Sequence, residues 1–192
     1  MANLVEEGKG EAEEMRKYLI GLLVNNRYGV LTRIASMFAR RGFNIESLAV
    51  GETENKAISR MTIAINGTDH DRDQLIRQLR KLHDVIHVSE MYPDSSVKRE
   101  LVIMKINTDQ GKRQEIMDAV NAFRSKIVDY SKRSITVEIT GEGTKLEAFI
   151  ELMKEYGIME ICRTGLVAMG RGDDCLTNRS VRDDDREIEE ED

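Results

Sequence analysis

The 192-residue chain predicts an α+β fold made of two successive β-α-β-β-α-β units. Three observations predict it. Twice along the chain, in the same order, apolar residues switch between a period of two and a period near 3.6. The only proline, Pro93, falls between the two runs. Each run is roughly seventy residues long, enough for one small sheet with two helices and small enough to need help from another surface.

The first unit opens on Tyr18 to Val24, an apolar run too short and too continuous for an amphipathic helix, which predicts a strand buried on both faces. After Asn25 to Tyr28, residues Val30, Leu31, Ile34, Ala35 and Phe38 recur at helical spacing, and Gly42 supplies a left-handed stop. Asn44 to Val50 reads as a strand. A polar connection, Gly51 to Ala57, leads to its neighbour, where Met61, Ile63 and Ile65 alternate with Arg60, Thr62 and Ala64. Leu75, Ile76, Leu79 and Leu82 mark a second helix with Thr68 and Asp69 as capping candidates, and Val85 to Met91 closes the unit as a strand. This order is the split βαβ, or ferredoxin-like, arrangement: one antiparallel sheet with both helices on one face.

Residues 93–98 are short and polar, as a connection between domains should be. The same order then recurs over residues 99–171. Leu101 to Ile106 is a strand; Ile116, Met117, Val120 and Phe123 mark a helix; Lys126 to Ser131 is a strand turned at Lys132 and Arg133 into Ile135, Val137 and Ile139. Leu146, Phe149, Ile150 and Met153 form the last helix, ending near Gly157, and a final strand is expected over Ile158 to Met169. The predicted organisation is an N-terminal extension over 1–17, domains at 18–92 and 99–171, and an acidic tail over 172–192. A sheet with helices on one face leaves the other to be covered, so a homodimer is expected.

The formal charge of −6 argues against a dedicated nucleic-acid binder, which needs a basic surplus. Its location is more informative: Arg171 to Asp192 holds ten acidic residues against four Arg, so residues 1–170 carry 25 of each sign and balance. Such a tail is too acidic and too poor in apolar residues to offset its ordering entropy, and a disordered end is expected. Met1 to Lys17 lacks the basic-then-apolar order of a secretory leader, and no apolar run approaches the roughly 18 residues of a membrane span, so a cytoplasmic protein is expected. Cys162 and Cys175 fit no metal or disulfide spacing.

Catalytic chemistry is sparse. His83 and His87 have the spacing of a helical metal pair, but the helix is expected to end near His83, and no third ligand lies nearby. Gly141-Glu142-Gly143-Thr144-Lys145 lacks the spacer of a phosphate loop and reads as a helix start. Neither a nucleophile elbow nor a basic, groove-sized helix is visible. One stretch suggests binding. Asn25-Asn26-Arg27-Tyr28-Gly29-Val30-Leu31 ends a buried strand and begins a helix, so free N–H groups and the helix dipole favour an anion there, and Asn26 carries both a donor and an acceptor. Those are the contacts an α-amino acid requires. On pattern alone the plainer alternative stays open, that Asn26 caps the helix and Gly29 only turns the chain.

The strings Asn26-Arg27-Tyr28-Gly29-Val30-Leu31-Thr32-Arg33, Arg41-Gly42-Phe43-Asn44-Ile45-Glu46-Ser47-Leu48 and Ser59-Arg60-Met61-Thr62 closely resemble the regulatory small subunit of acetolactate synthase, also called acetohydroxyacid synthase. Gln78 to Leu82, Arg99 to Ile106 and Gly165 to Gly172 extend the resemblance from Tyr18 to Gly172. It implies that the first unit is an amino-acid-sensing ACT domain. The second would be a ferredoxin-like domain similar to the C-terminal domain of a nickel-responsive repressor, here without an obvious His and Cys set and so with no metal. It implies further that the chain has no catalytic residues and no cofactor of its own. The expected partner is a large catalytic subunit carrying thiamine diphosphate, Mg²⁺ and FAD, which the chain stimulates and makes sensitive to valine, or to leucine or isoleucine, in branched-chain amino acid biosynthesis. The implied effector site takes Asn26, Gly29, Val30 and Leu31 from one protomer and Asn44 and Ile45 from the other, across an interface between ACT domains.

Overall fold

The computed structural model describes residues 14–108 and 111–176. The expected N-terminal extension as far as residue 13, and the acidic end from residue 177, lie outside the described residues. The first unit consists of β1 (Arg16–Asn25), α1 (Val30–Arg40), β2 (Ile45–Glu52), β3 (Ile58–Gly67), α2 (Asp69–Arg80) and β4 (Val85–Glu90). Its sheet has the order β2-β3-β1-β4, antiparallel throughout. Alternation decides which side chains meet. Tyr18, Ile20, Leu22 and Val24 of β1 join Ile34 and Phe38 of α1 and Leu75 and Leu79 of α2 in one core. Leu19 and Leu23 point to the other face and are also buried, as the continuous apolar run predicts.

Local signals set the helix ends. Thr68 caps α2 by accepting the Asp71 N–H at 3.2 Å, while Asp71 accepts the Thr68 N–H at 2.9 Å, a reciprocal capping box. The Tyr18 hydroxyl donates to Asp69 at 2.8 Å and ties β1 to the start of α2. Burial, reinforced by that bond, pushes the phenol up to about 12.

The second unit repeats the order with β5 (Ser96–Asn107), α3 (Arg113–Ala122), β6 (Lys126–Tyr130), β7 (Ser134–Gly141), α4 (Gly143–Lys154) and β8 (Ile158–Arg163), in a sheet ordered β6-β7-β5-β8. Its core gathers Val102, Met104 and Ile106 of β5 with Ile116, Val120, Phe149 and Met153 of the helices. Both units are therefore the ferredoxin-like fold expected.

The last strand differs from expectation. The single run over Ile158 to Met169 is two strands, β8 and β9 (Val167–Gly170), broken at Thr164-Gly165-Leu166. Gly165 sits at φ +78, and the Thr164 hydroxyl accepts the Leu101 N–H at 3.1 Å, so a side chain takes a place in the ladder and the strand turns away. Beyond the break β9 pairs with the first residues of β5, Ser96 opposite Gly170 and Arg99 opposite Val167. The latter half of the expected connection over 93–98 is consequently strand.

This rearrangement covers the far face of the first sheet. A third cluster joins Leu19, Leu23, Ala64 and Met91 of the first unit with Leu166 and Ala168 around β9 and with Leu176. Part of the surface expected to need a second protomer is therefore buried by the chain itself. Arg60 on β3 donates to the Ala168 carbonyl at 2.8 Å, and Ser47 on β2 accepts the Leu166 N–H at 2.9 Å. The expected tail also begins later than residue 172, because Leu176 is buried over Gly21. A Cβ on residue 21 would lie 3.2 Å from Leu176 Cδ1 and 3.1 Å from Met91 Sδ, so the glycine makes the room. Replacing Leu176 by Ala should cost about 2 kcal/mol, the usual cost of truncating a core leucine where the site can partly collapse, read as a lower urea midpoint. No helix among the described residues is long and apolar enough to cross a membrane.

Candidate functional site

The loop between β1 and α1 is held from two sides. The Asn25 N–H donates to the Asp84 carbonyl at 2.9 Å, ahead of β4, and the Asn26 N–H donates to Ala57 in the β2–β3 hairpin at 2.7 Å. The chain then reverses through Gly29, at φ +82, which is the N-cap of α1. No side chain caps this helix and its first turn carries no acidic residue. The helix ladder begins with the Arg33 N–H donating to the Gly29 carbonyl at 2.9 Å. Amide groups of the first turn and the positive end of the dipole therefore face outward beside Gly29.

Arg33 lies over the same turn with its charge paired to Asp84. Its guanidinium donates Nε and Nη2 to one oxygen of Asp84, at 2.9 and 2.6 Å, and a Cβ on residue 29 would lie 3.1 Å from its Nη1. Nothing local in the sequence signals that a side chain four residues on folds back over the turn. Val30 is buried in the first core, whereas Leu31 and Tyr28 are exposed. Of the two neighbours in the first turn, only Leu31 therefore exposes its side chain.

Asn26 does not cap α1. Its amide nitrogen donates to Glu52 Oε1 at 3.0 Å and to the Lys56 carbonyl at 2.9 Å. Asn44 and Ile45 lie beyond the other end of α1. An eleven-residue helix is about 16 Å long, so one chain does not bring these two residues to Gly29. Asn44 is exposed, and Ile45 is half-buried against the first core opposite Ile65 of β3. Of the six expected site residues, Gly29, Val30 and Leu31 are consecutive, Asn26 lies three positions earlier in the same loop, and two are distant within the protomer.

Two clefts mark the junction between the units. One, of about 750 Å³, is apolar and runs between Val50 of β2 and Val97, Val167 and Met169 of the paired β5 and β9; Arg60 and Arg99 flank it. Burial lowers the affinity of the Arg60 guanidinium for its proton. The other, of about 890 Å³, is polar and contains Ser47, Glu100, Arg163 and Gly165. There the bidentate Arg163 contact holds the Glu100 carboxyl below its usual range despite burial. Asn26, Gly29 and Leu31 line neither of these two clefts. Among the described residues no group of three His, Cys, Asp or Glu side chains is placed to hold a metal ion; α2 ends at Arg80 and His87 lies in β4, which separates His83 from His87.

Comparison with known proteins covers both units. Residues 20–87 match the model of the acetohydroxyacid synthase small subunit-like ACT domain, and residues 99–172 match that of the small subunit of acetolactate synthase. A probable acetolactate synthase small subunit from Archaeoglobus fulgidus is 51% identical over 156 residues, which is 81% of this chain and 98% of that protein. The acetolactate synthase small subunit of Mycolicibacterium smegmatis is 47% identical over 155 residues, 81% of this chain and 91% of the other. The crystal structure of the acetolactate synthase small subunit from Thermotoga maritima superposes with a TM-score of 0.77 at 42% identity, covering 83% of this chain and 99% of that one. With family models on both halves and relatives near one-half identity across nearly their whole length, the chain belongs to the acetolactate synthase small subunit family.

Proposed function

We propose that this chain is the regulatory partner of an acetolactate synthase large subunit, stimulating it and making it sensitive to valine. The observation that carries the effector reading is the N-terminus of α1 at Gly29, which has no side-chain cap and no acidic residue in its first turn and follows directly on the loop that carries Asn26. An α-amino acid has one anionic and one cationic pole, and this surface has donors beside an acceptor. Leu31, exposed next to them, suits an aliphatic side chain.

The effector reading requires a homodimer, because α1 separates Asn44 and Ile45 from Gly29 within one chain. In the proposed arrangement Asn44 and Ile45 of a second protomer complete the site, Asn44 through its side chain and Ile45 through its backbone, since the Ile45 side chain packs on its own core. A ligand shared between protomers contacts two assembly states differently, which is the requirement for an allosteric signal. Valine, leucine and isoleucine should be separated only modestly, because a methylene is worth about 1–3 kcal/mol in an apolar pocket. The chemistry, with its thiamine diphosphate, Mg²⁺ and FAD, belongs to the large subunit, and this chain supplies no catalytic group.

The test is reconstitution with the large subunit and titration of the three amino acids. The chain alone is expected to form no acetolactate and to raise the partner's rate in a valine-sensitive manner. Asn26→Ala should raise the half-inhibiting valine concentration by roughly tenfold or more, the cost of a charge-assisted hydrogen bond. Gly29→Asp should abolish inhibition, since its carboxylate would sit within reach of Arg33 and occupy the place of the ligand's own. Unchanged half-inhibition in both variants would refute the site.

A further inference from the structure

Glu52 lies 26 positions after Asn26, at the end of β2, yet the two side chains meet at 3.0 Å. An asparagine amide has two N–H donors and one carbonyl acceptor. Both donors are spent, one on Glu52 Oε1 and one on the Lys56 carbonyl at 2.9 Å. Both partners only accept, so turning the amide over would set its oxygen against two other oxygens. At this exposed pairing chemistry therefore favours one orientation, with the nitrogen toward the hairpin and Oδ1 turned away from both acceptors.

The hairpin carrying those two acceptors is itself held in shape. The Thr53 N–H donates to the Ile58 carbonyl at 3.0 Å, and the Ile58 N–H to the Asn55 carbonyl at 2.8 Å. The Asn55 side chain accepts the Ala57 N–H at 3.0 Å, and Thr53 Oγ1 accepts the Asn55 N–H at 3.2 Å. Glu52 and Lys56 thus stand at the two ends of a braced turn, and Asn26 is seated between them. Among the described residues Glu52 forms no ion pair, and its side chain accepts this amide at 3.0 Å.

From this geometry we infer that Glu52 is a positioning residue for the effector: it presents Asn26 as an acceptor only, so that the site takes an α-amino acid and rejects the 2-oxo acid with the same side chain. The inference rests on the effector reading above. An ammonium group donates to Oδ1, whereas a 2-oxo group has no hydrogen to give and meets oxygen against oxygen. Discrimination of this kind suits a sensor attached to an enzyme that consumes 2-oxo acids, because a response to its partner's own class of substrate would confuse supply with demand.

Three variants in the reconstituted holoenzyme test it, with inhibition by L-valine and by 3-methyl-2-oxobutanoate as the two readings and far-ultraviolet circular dichroism as the check on folding. Glu52→Ala frees the amide to turn, and it should weaken valine inhibition roughly five- to tenfold while narrowing the preference over the oxo acid. Glu52→Gln keeps an oxygen toward Asn26 without the charge, and it should stay within about twofold of the parent on both readings. If Glu52→Gln falls as far as Glu52→Ala, charge and not orientation is what Glu52 supplies, and the inference is wrong; it is equally wrong if Glu52→Ala changes nothing. Asn26→Ala separates this from failure of the site. Should that variant keep full valine sensitivity, the effector reading fails; should it lose sensitivity while Glu52→Ala retains both readings, only the role of Glu52 fails.

Discussion

Gly165→Val should destabilise the chain by about 4 kcal/mol, the largest single effect expected outside the two principal cores. Two costs combine. At φ +78 a β-branched side chain adopts a left-handed conformation that only glycine accepts freely. The space is also filled, since a Cβ on residue 165 would lie 2.9 Å from Ser47 Oγ, 3.1 Å from the Leu48 carbonyl oxygen and 3.3 Å from its carbon. Two of those three atoms are backbone and do not rotate away. The neighbouring contact, Leu166 N–H to Ser47 Oγ, is lost if the strands separate.

Gly42 supplies the control. It has a similar conformation, φ +74, with nothing within 4 Å of an added Cβ, so Gly42→Ala carries the conformational cost alone. The difference between Gly165→Ala and Gly42→Ala in urea unfolding is then the close approach of β2 to the second unit, expected at about 1–3 kcal/mol. Equal losses would mean that the junction has slack and that β2 is not seated on residues 164–166.

What the sequence disclosed follows from the range of each signal. Periodicity is local, so Ile20, Leu22, Ile63 and Ile65 announced their strands, and Ile34 and Phe38 their helix, before any tertiary contact was known. The third cluster was illegible for the opposite reason. Leu176 is a lone leucine in an acidic stretch, and its burial depends on an absent Cβ at Gly21, more than 150 positions earlier. The break at Gly165 was hidden in the same way: Ile158 to Met169 holds enough apolar residues to pass as one strand, and only the close approach of Ser47 and Leu48 requires glycine there.

At the candidate site, Asn26 and Gly29 were legible because a strand-to-helix turn with Asn and Gly has few alternatives. Glu52 was not, because a glutamate in a polar connection has no local property that marks it as the partner of a distant amide. Asn44 and Ile45 carried no physical signal of their own beyond the start of a strand, and their proposed place in the site rests on resemblance.

Arg163→Ala should cost about 3 kcal/mol at neutral pH, and Glu100→Ala only about 1, although the two residues form one ion pair. The asymmetry comes from burial. The Glu100 side chain is 7% exposed and the Arg163 side chain 40%. Removing the arginine takes two bonds, at 2.9 and 2.8 Å, from a buried carboxylate that keeps the Gly165 N–H. Removing the glutamate leaves an arginine in contact with water and with Glu147 at 2.8 Å, an exposed pair of small value.

The pH dependence tests the same account. Arg163 holds the Glu100 carboxyl below its ordinary value, so the stability from this group is fully present above the unfolded value near 4.5 and is lost as pH falls through the lower folded value. Without Arg163 only the Gly165 N–H and the charge of Lys17 still favour the carboxylate against burial, so less of the stabilisation remains for acid to remove. The stability gap between parent and Arg163→Ala should accordingly be widest near pH 7 and close as pH falls below roughly 4, read as urea midpoints across that range. A gap that stayed constant with pH would show that Arg163 stabilises the junction by packing its aliphatic stem, and that the charge on Glu100 contributes nothing there.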